Sequence, residues 1–274
     1  MKAGDFRLLF FIGTQMIYYH DHPEYRIGDE IQTTALMKYL ISKGHEIYYR
    51  DSNPYVSAIE IFPDNLVTFT SENHYGFEQF EPFNMWFWSV MLRENGIYTE
   101  LKRKYKESEA DLDVVFIPIL NPGYNLERAI KPESALEMLH ELERNHSKVR
   151  MIVDEAKKDL FKVDHPGIVY SSNIYETFEY VHRCKVFLGT DTGTTHYAGA
   201  IKHPRMVLAL PDETEIQNNV RWHRDLIADE CNEPEIRNIE VNSLPCCDPK
   251  QFQVIQISNN EMPIKKIMGA IDRL

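Results

Sequence analysis

The sequence predicts an α/β protein built from parallel sheets. Three observations carry this: near-continuous apolar strands, helices of amphipathic spacing between them, and turns that open a helix directly after a strand. A strand that is apolar on both faces must be covered on both, so strand and helix in alternation imply a sheet between helical layers.

The elements follow in order. Leu8 to Ile12 is a continuous apolar run, read as the first strand and followed by a loop. In Glu30 to Lys43, Ile31, Ala35, Leu36, Leu40 and Ile41 recur at helical spacing, and Gly44 ends that helix. HEIYYR at 45 to 50 reads as the next strand. The same order recurs later: a strand at Val114 to Ile119, a helix at Pro132 to Asn145 with Ala135, Leu136, Met138, Leu139 and Leu142, and a strand at Val149 to Val153. Ile168 to Tyr170, a helical Ile174 to His182, Lys185 to Leu188, a short helix after Gly193 and the strand Met206 to Leu210 complete it. The charged stretch ELKRKYKESEADLD, 100 to 113, interrupts the pattern as a helix end and link. Two α/β domains are therefore expected, 1–108 and 109–257, with 258–274 supplying a last helix, Pro263 to Leu274, that packs across them.

At 274 residues and 43% hydrophobic, the chain can bury a substantial core. A net charge of -12 disfavours bulk nucleic-acid binding, so a phosphate-bearing ligand would need a local cluster of donors. No stretch approaches the roughly 20 apolar residues of a membrane span, and Leu8 to Ile12 is too short for a secretory core, so a cytoplasmic protein is expected. The four cysteines form neither a CxxC pair nor a disulfide framework and are expected to be reduced.

Two turns concentrate polar chemistry. GTDTGTTH, 189 to 196, follows the apolar run Val186-Phe187-Leu188. In an open parallel sheet ligands bind beyond the carboxyl ends of the strands, where a helix N-terminus offers N–H groups and a positive dipole end to an anion. Gly193 would admit close approach of a phosphate, Thr192, Thr194 and Thr195 add hydroxyls, and His196 adds a ring donor. Ordinary capping by Asp191 or Thr192 explains the same residues equally well. The second turn, RIGDEIQTT at 26 to 34, reads as an N-cap at Gly28-Asp29 with Gln32 as an approximate capping box. Asp29 is equally placed to accept a proton from an acceptor hydroxyl, and spacing does not separate cap from base.

Taken together, the two turns give a resemblance. Gly28-Asp29-Glu30-Ile31-Gln32-Thr33-Thr34-Ala35-Leu36 and Gly189-Thr190-Asp191-Thr192-Gly193-Thr194-Thr195-His196-Tyr197-Ala198-Gly199-Ala200 resemble the two motifs of glycosyltransferase family nine, the ADP-heptose:lipopolysaccharide heptosyltransferases and their relatives. The resemblance implies a GT-B fold, two Rossmann-like domains with an interdomain cleft, 1–108 on the acceptor side and 109–257 binding the donor. It implies Asp29 as general base, and Asp191, Thr192, Gly193, Thr194 and His196 on the donor. Arg128 and Lys131 stand nearest to the family's basic residue that neutralises the leaving phosphate, although the Trp of the Trp-Pro that follows it in the family is absent, with Pro132 kept, and the basic residue is shifted. Asp154 or Glu155 stands where an acidic residue would meet the ribose or base.

The implied reaction is inverting transfer of heptose or a similar sugar from a nucleotide-diphosphate sugar, ADP-heptose or like it, to a glycan acceptor, free or lipid-linked, as in surface polysaccharide synthesis. The chain would work in the cytoplasm or at the inner membrane face. No cofactor and no obligatory metal are expected, on the reading that the chain lacks a DxD pair. A sugar-nucleotide epimerase of the same fold, which needs a carboxylate pair at the sugar, and a non-catalytic nucleotide-sugar-binding protein are the alternatives. His20-Asp21-His22 lacks a positioned third ligand and reads as loop. The aromatic stretch Tyr75, Phe77, Phe80, Phe83, Trp86, Phe87 and Trp88 reads as core or domain-wall packing ahead of a sugar-stacking wall.

Overall fold

The structure, a computed structural model, describes residues 17–20, 27–42, 44–50, 62–70, 78–79, 99, 101–102, 110–120, 129–161, 164–190, 192–211 and 252–274. Two wholly parallel sheets organise them. The first contains β1 (Ile17–His20), β2 (Glu46–Tyr49), β3 (Thr68–Phe69) and β4 (Glu78–Gln79) in the order β3-β2-β1-β4, with helix α1 (Ile27–Ser42) between β1 and β2.

The second sheet is built from β5 (Leu112–Ile117), β6 (Val149–Asp154), β7 (Ile168–Ser171), β8 (Cys184–Gly189), β9 (Met206–Pro211) and β10 (Phe252–Ile257). Its helices are α2 (Pro132–Asn145), α3 (Ile174–Arg183), α4 (Gly193–Ala200) and α5 (Ile264–Ile271), with a 3-10 turn at Glu155–Leu160. The order β10-β9-β8-β5-β6-β7 is that of a doubly wound dinucleotide-binding sheet, and it reverses between β5 and β8. Both sheets therefore have a switch point, the first beside β1 and the second between β5 and β8. The loop after β1 leads into α1, and the turn after β8 leads into α4.

Amphipathic spacing explains the core. Ala135, Met138, Leu139 and Leu142 of α2 are completely buried and belong to one cluster with Val114, Phe116 and Met151 of the sheet beneath. Ile267, Ala270 and Ile271 of α5 join that same cluster. A second cluster runs from Ile31, Ala35, Met37 and Leu40 of α1 through Val115 and Phe187 to Tyr197, Ala198 and Ala200 of α4, so the two sheets share apolar packing through these helices. No helix among the described residues is long and apolar enough to cross a membrane.

Several boundaries differ from the sequence expectation. A strand occupies Ile17–His20, within the stretch read as loop, because Ile-Tyr-Tyr is a run of strong strand formers; Leu8 to Ile12, Asp21 and His22 lie outside the described residues. α1 starts at Ile27, three residues before Glu30, so Gly28 and Asp29 belong to its first turn, inside the helix and not ahead of it as an N-cap. Ile41, counted in the apolar stripe, is exposed, while Thr34 and Met37 are buried in its place. Gly44 ends the helix as expected, with a left-handed φ of 86°. β10 was not anticipated, because its glutamines break the apolar run at the edge of the sheet. The aromatic stretch from Tyr75 to Trp88 lies outside the described residues.

At the amino edge of the second sheet, ion pairs hold two carboxylates in their charged form. Arg183 holds Asp111 through two hydrogen bonds of 2.9 and 2.7 Å. Asp113 accepts from Lys185 Nζ at 2.8 Å, from Ser147 Oγ at 3.0 Å and from the Lys148 amide at 3.1 Å. The Lys185 bond is the main reason its pKa falls from 3.8 to about 2, against the opposing effect of partial burial. A carboxylate whose folded pKa is depressed stabilises above its unfolded value and loses that contribution as pH falls through the folded one. The window is therefore about pH 4 down to about 2. Asp113→Asn should lower the unfolding free energy at pH 7 by about 1 to 2 kcal/mol, after allowance for solvent screening of the exposed Lys185. The variant should also flatten the loss of stability across that window; urea unfolding at a series of pH values measures both.

Candidate active site

The site is built from the first turns of α1 and α4. Thr192 is the N-cap of α4, with extended backbone, and its Oγ1 accepts from the Thr195 amide at 3.2 Å. Capping, the plainer of the two readings of this turn, is thus present. It satisfies one of the orphan donors and leaves the Gly193 and Thr194 amides, the first two of the helix, with no partner inside it.

α1 meets α4 at two glycines. A Cβ on Gly193 would stand 2.2 Å from Ile27 Cγ2 and 3.3 Å from the Gly28 amide nitrogen. A Cβ on Gly28 would stand 3.1 Å from His196 Cδ2 and 3.5 Å from Gly193 Cα. Hydrogen at Gly193 is what allows this approach, and a methyl at Gly28 would press on the His196 ring. Two helix N-termini, each with a positive dipole end, are thereby brought side by side, an arrangement that favours a negatively charged group beside them.

The glycine contact also explains why α1 begins early. A glycine in a first turn is a weak helix former, but here tertiary contact with Gly193 and His196 holds it in place.

The structure brings Gly28 of the first motif against Gly193 and His196 of the second, both expected on the donor. His196 is 7% exposed, with its ring against Gly28. Asp29 is the third residue of α1, next in the chain to Gly28; its side chain, with Asp191 and Arg128, lies outside the described residues. Thr194 is buried on the second position of α4.

Thr195 departs from expectation. It is fully buried, and its hydroxyl donates to the Thr190 carbonyl, so it serves the turn's interior and is not presented to a ligand.

Lys131 and Glu155 stand on elements that leave the carboxyl edge of β5 and β6. Lys131 is the N-cap residue of α2, and its ammonium is 2.6 Å from Glu261 Oε1. Glu155 opens the 3-10 turn and is exposed, while Asp154 caps that turn by accepting from the Ala156 amide at 2.9 Å. Asp154 is thereby engaged in local structure, and Glu155 is the freer of the two acidic candidates to meet a ligand.

A DxD spacing does occur, at Asp111-Leu112-Asp113, contrary to the sequence expectation. It stands at the amino end of β5, on the edge opposite the two turns, with its carboxylates paired to Arg183 and Lys185. It does not contribute to this site.

Two features of the site were not anticipated. Phe178 stacks on Tyr197 at 3.6 Å between centroids, and His182 Nε2 shares a 2.6 Å hydrogen bond with the Tyr197 hydroxyl, fixing α4 against α3. Thr190, 1% exposed, accepts from the Ile119 amide through its Oγ1 at 3.0 Å. The available signal was a polar residue directly after the end of β8, where the sheet order reverses.

No family model and no curated protein matches the chain. Among solved structures it is similar to the glycosyl transferase family 9 structure from Veillonella parvula, with 8% identity and a TM-score of 0.53 over 93% of this chain and 90% of that one. It is also similar to the iron-containing dodecameric glycosyltransferase TibC of enterotoxigenic Escherichia coli, with 11% identity and a TM-score of 0.52 over 73% of this chain and 59% of that one. Escherichia coli heptosyltransferase WaaC with ADP aligns over 94% of this chain and 99% of that one, with 10% identity and a TM-score of 0.48. At such identities the likeness is one of fold, and the fold is GT-B: mixed α/β with two parallel sheets.

Proposed function

We propose that the protein is an inverting, metal-independent glycosyltransferase that moves heptose or a similar sugar from a nucleotide-diphosphate sugar to a hydroxyl of a glycan acceptor. One observation carries the reading: Gly28 of the first sheet's switch point and Gly193 and His196 of the second's are in contact. The motif that would hold the donor and the motif that would carry the base are remote in sequence. Their contact supports a shared reaction centre. The fold likeness to family 9 and TibC structures supports the same reaction class.

In this reading the Asp29 carboxylate takes the proton of the acceptor hydroxyl as its oxygen attacks the sugar's anomeric carbon. The bond from that carbon to the diphosphate oxygen breaks on the opposite face, inverting the centre. The departing diphosphate gathers negative charge, which the amides of Gly193 and Thr194, the ring of His196, and the cations Arg128 and Lys131 would stabilise. Asp191 and Thr192 would orient the sugar end, and Glu155 the ribose. Lys131 would then have to exchange Glu261 for phosphate. No metal is assigned a step, because charge on the leaving group is met by a helix N-terminus and these cations.

A thermal-shift screen of ADP-, UDP- and GDP-sugars tests the donor half. A ligand at a hundred times its dissociation constant adds about 2.7 kcal/mol, or roughly 5 to 10 °C for a chain of this size. Product analysis with and without a glycan acceptor then tests transfer. A shift accompanied by epimerised donor and no transfer would overturn the proposal.

A further inference from the structure

We infer that Thr190 is a positioning residue that ties the two phosphate-side segments of the site together, an inference that rests on the transferase reading above. Its hydroxyl accepts from the Ile119 amide at 3.0 Å, across the point where the second sheet reverses its order. The Ile119 carbonyl accepts in turn from the Ile130 amide at 2.7 Å, which closes the base of the loop between β5 and α2. Ile130 leads directly into Lys131, the N-cap residue of α2.

The Thr190 carbonyl meanwhile accepts from the Thr195 hydroxyl inside α4. One residue thus holds Ile119, and through it the chain entering Lys131, with its side chain, and the turn of Thr192 and Gly193 with its backbone. Thr190 is 1% exposed, so water does not replace the hydroxyl when it is removed, and the Ile119 amide loses its acceptor. A residue buried this deeply touches no ligand. Its effect on the donor passes through the relative placement of the amides at 193 and 194 and of Lys131 at the N-cap of α2. A displacement on the order of 1 Å in such a site is enough to weaken phosphate binding and slow transfer.

The test compares Thr190→Val, which keeps the shape and removes the hydroxyl, with Thr190→Ser, which keeps the hydroxyl. Titration with ADP, UDP and GDP measures affinity, and hydrogen exchange of peptides covering 118–131 measures the tie itself. The Val variant should exchange faster across 118–131 and bind the preferred nucleotide at least tenfold more weakly, and the Ser variant should restore both. If Val does not fold, Thr190→Ala removes the same hydroxyl with less bulk and takes its place. Unchanged exchange or affinity in the hydroxyl-free variant, or equal losses in Ser and Val, would overturn the inference. A wild-type protein that binds none of the three nucleotides refutes the transferase reading instead, while faster exchange in the Val variant still establishes the tie.

Discussion

Asp29→Asn should abolish sugar transfer and leave donor binding nearly intact. The substitution keeps size and helix position while removing the proton acceptor, and positioned general bases contribute about 10²- to 10⁴-fold to rate. Asp29 follows Gly28, whose backbone lies against the ring of His196, so its place in the first turn of α1 is fixed by the contact with α4. Because α1 makes that contact through residues 27 and 28, the Asn variant should retain the wild-type melting temperature. Single-turnover transfer with saturating donor, alongside donor titration by calorimetry, separates the two effects. Turnover within tenfold of wild type would remove Asp29 from the role of base.

Gly193→Ala should weaken donor binding and destabilise the fold together. The new methyl would stand 2.2 Å from Ile27 Cγ2, a distance that carbon atoms do not tolerate, and 3.3 Å from the Gly28 nitrogen. Ile27 is β-branched with little freedom at χ1, so α1 must shift away from α4. Overpacking of this kind costs about 1 to 3 kcal/mol. A shift that separates the two N-termini should also raise the donor dissociation constant by about tenfold, the equivalent of about 1.4 kcal/mol. Ile27→Ala in the same chain removes the nearer clash and leaves the contact with the Gly28 nitrogen, so stability should recover in part. Urea unfolding and donor titration of both singles and the double give the coupling. Additive effects of the two substitutions would show that the glycine contact does not govern the helix approach.

Much of the fold was legible in the sequence because it depends on local patterns. α2 coincides with its expected range, and of its expected stripe Ala135, Met138, Leu139 and Leu142 are buried while Leu136 is half-buried. The buried strands β5, β6, β8 and β9 were legible for the same reason: a parallel sheet covered on both faces demands apolar residues on both. Where the local pattern is weak, the reading failed. β1 is only 4 residues long, too short a run to stand out from the polar residues around it, and β10 interleaves glutamine with apolar residues at an exposed edge.

The candidate site divides along the same line. The sequence determined by itself that GTDTGTTH opens a helix after a strand and that Gly28-Asp29 belongs to another helix start, since glycine acts there through its backbone freedom and threonine and aspartate through short side chains that bond nearby amides. Only the tertiary structure decided that Gly28 touches His196 and Gly193, that Thr195 turns inward to Thr190, and that Thr190 holds Ile119 across the switch point. These contacts join residues far apart in the chain. Their distances follow from how two sheets pack through α1 and α4, and no local spacing encodes that packing.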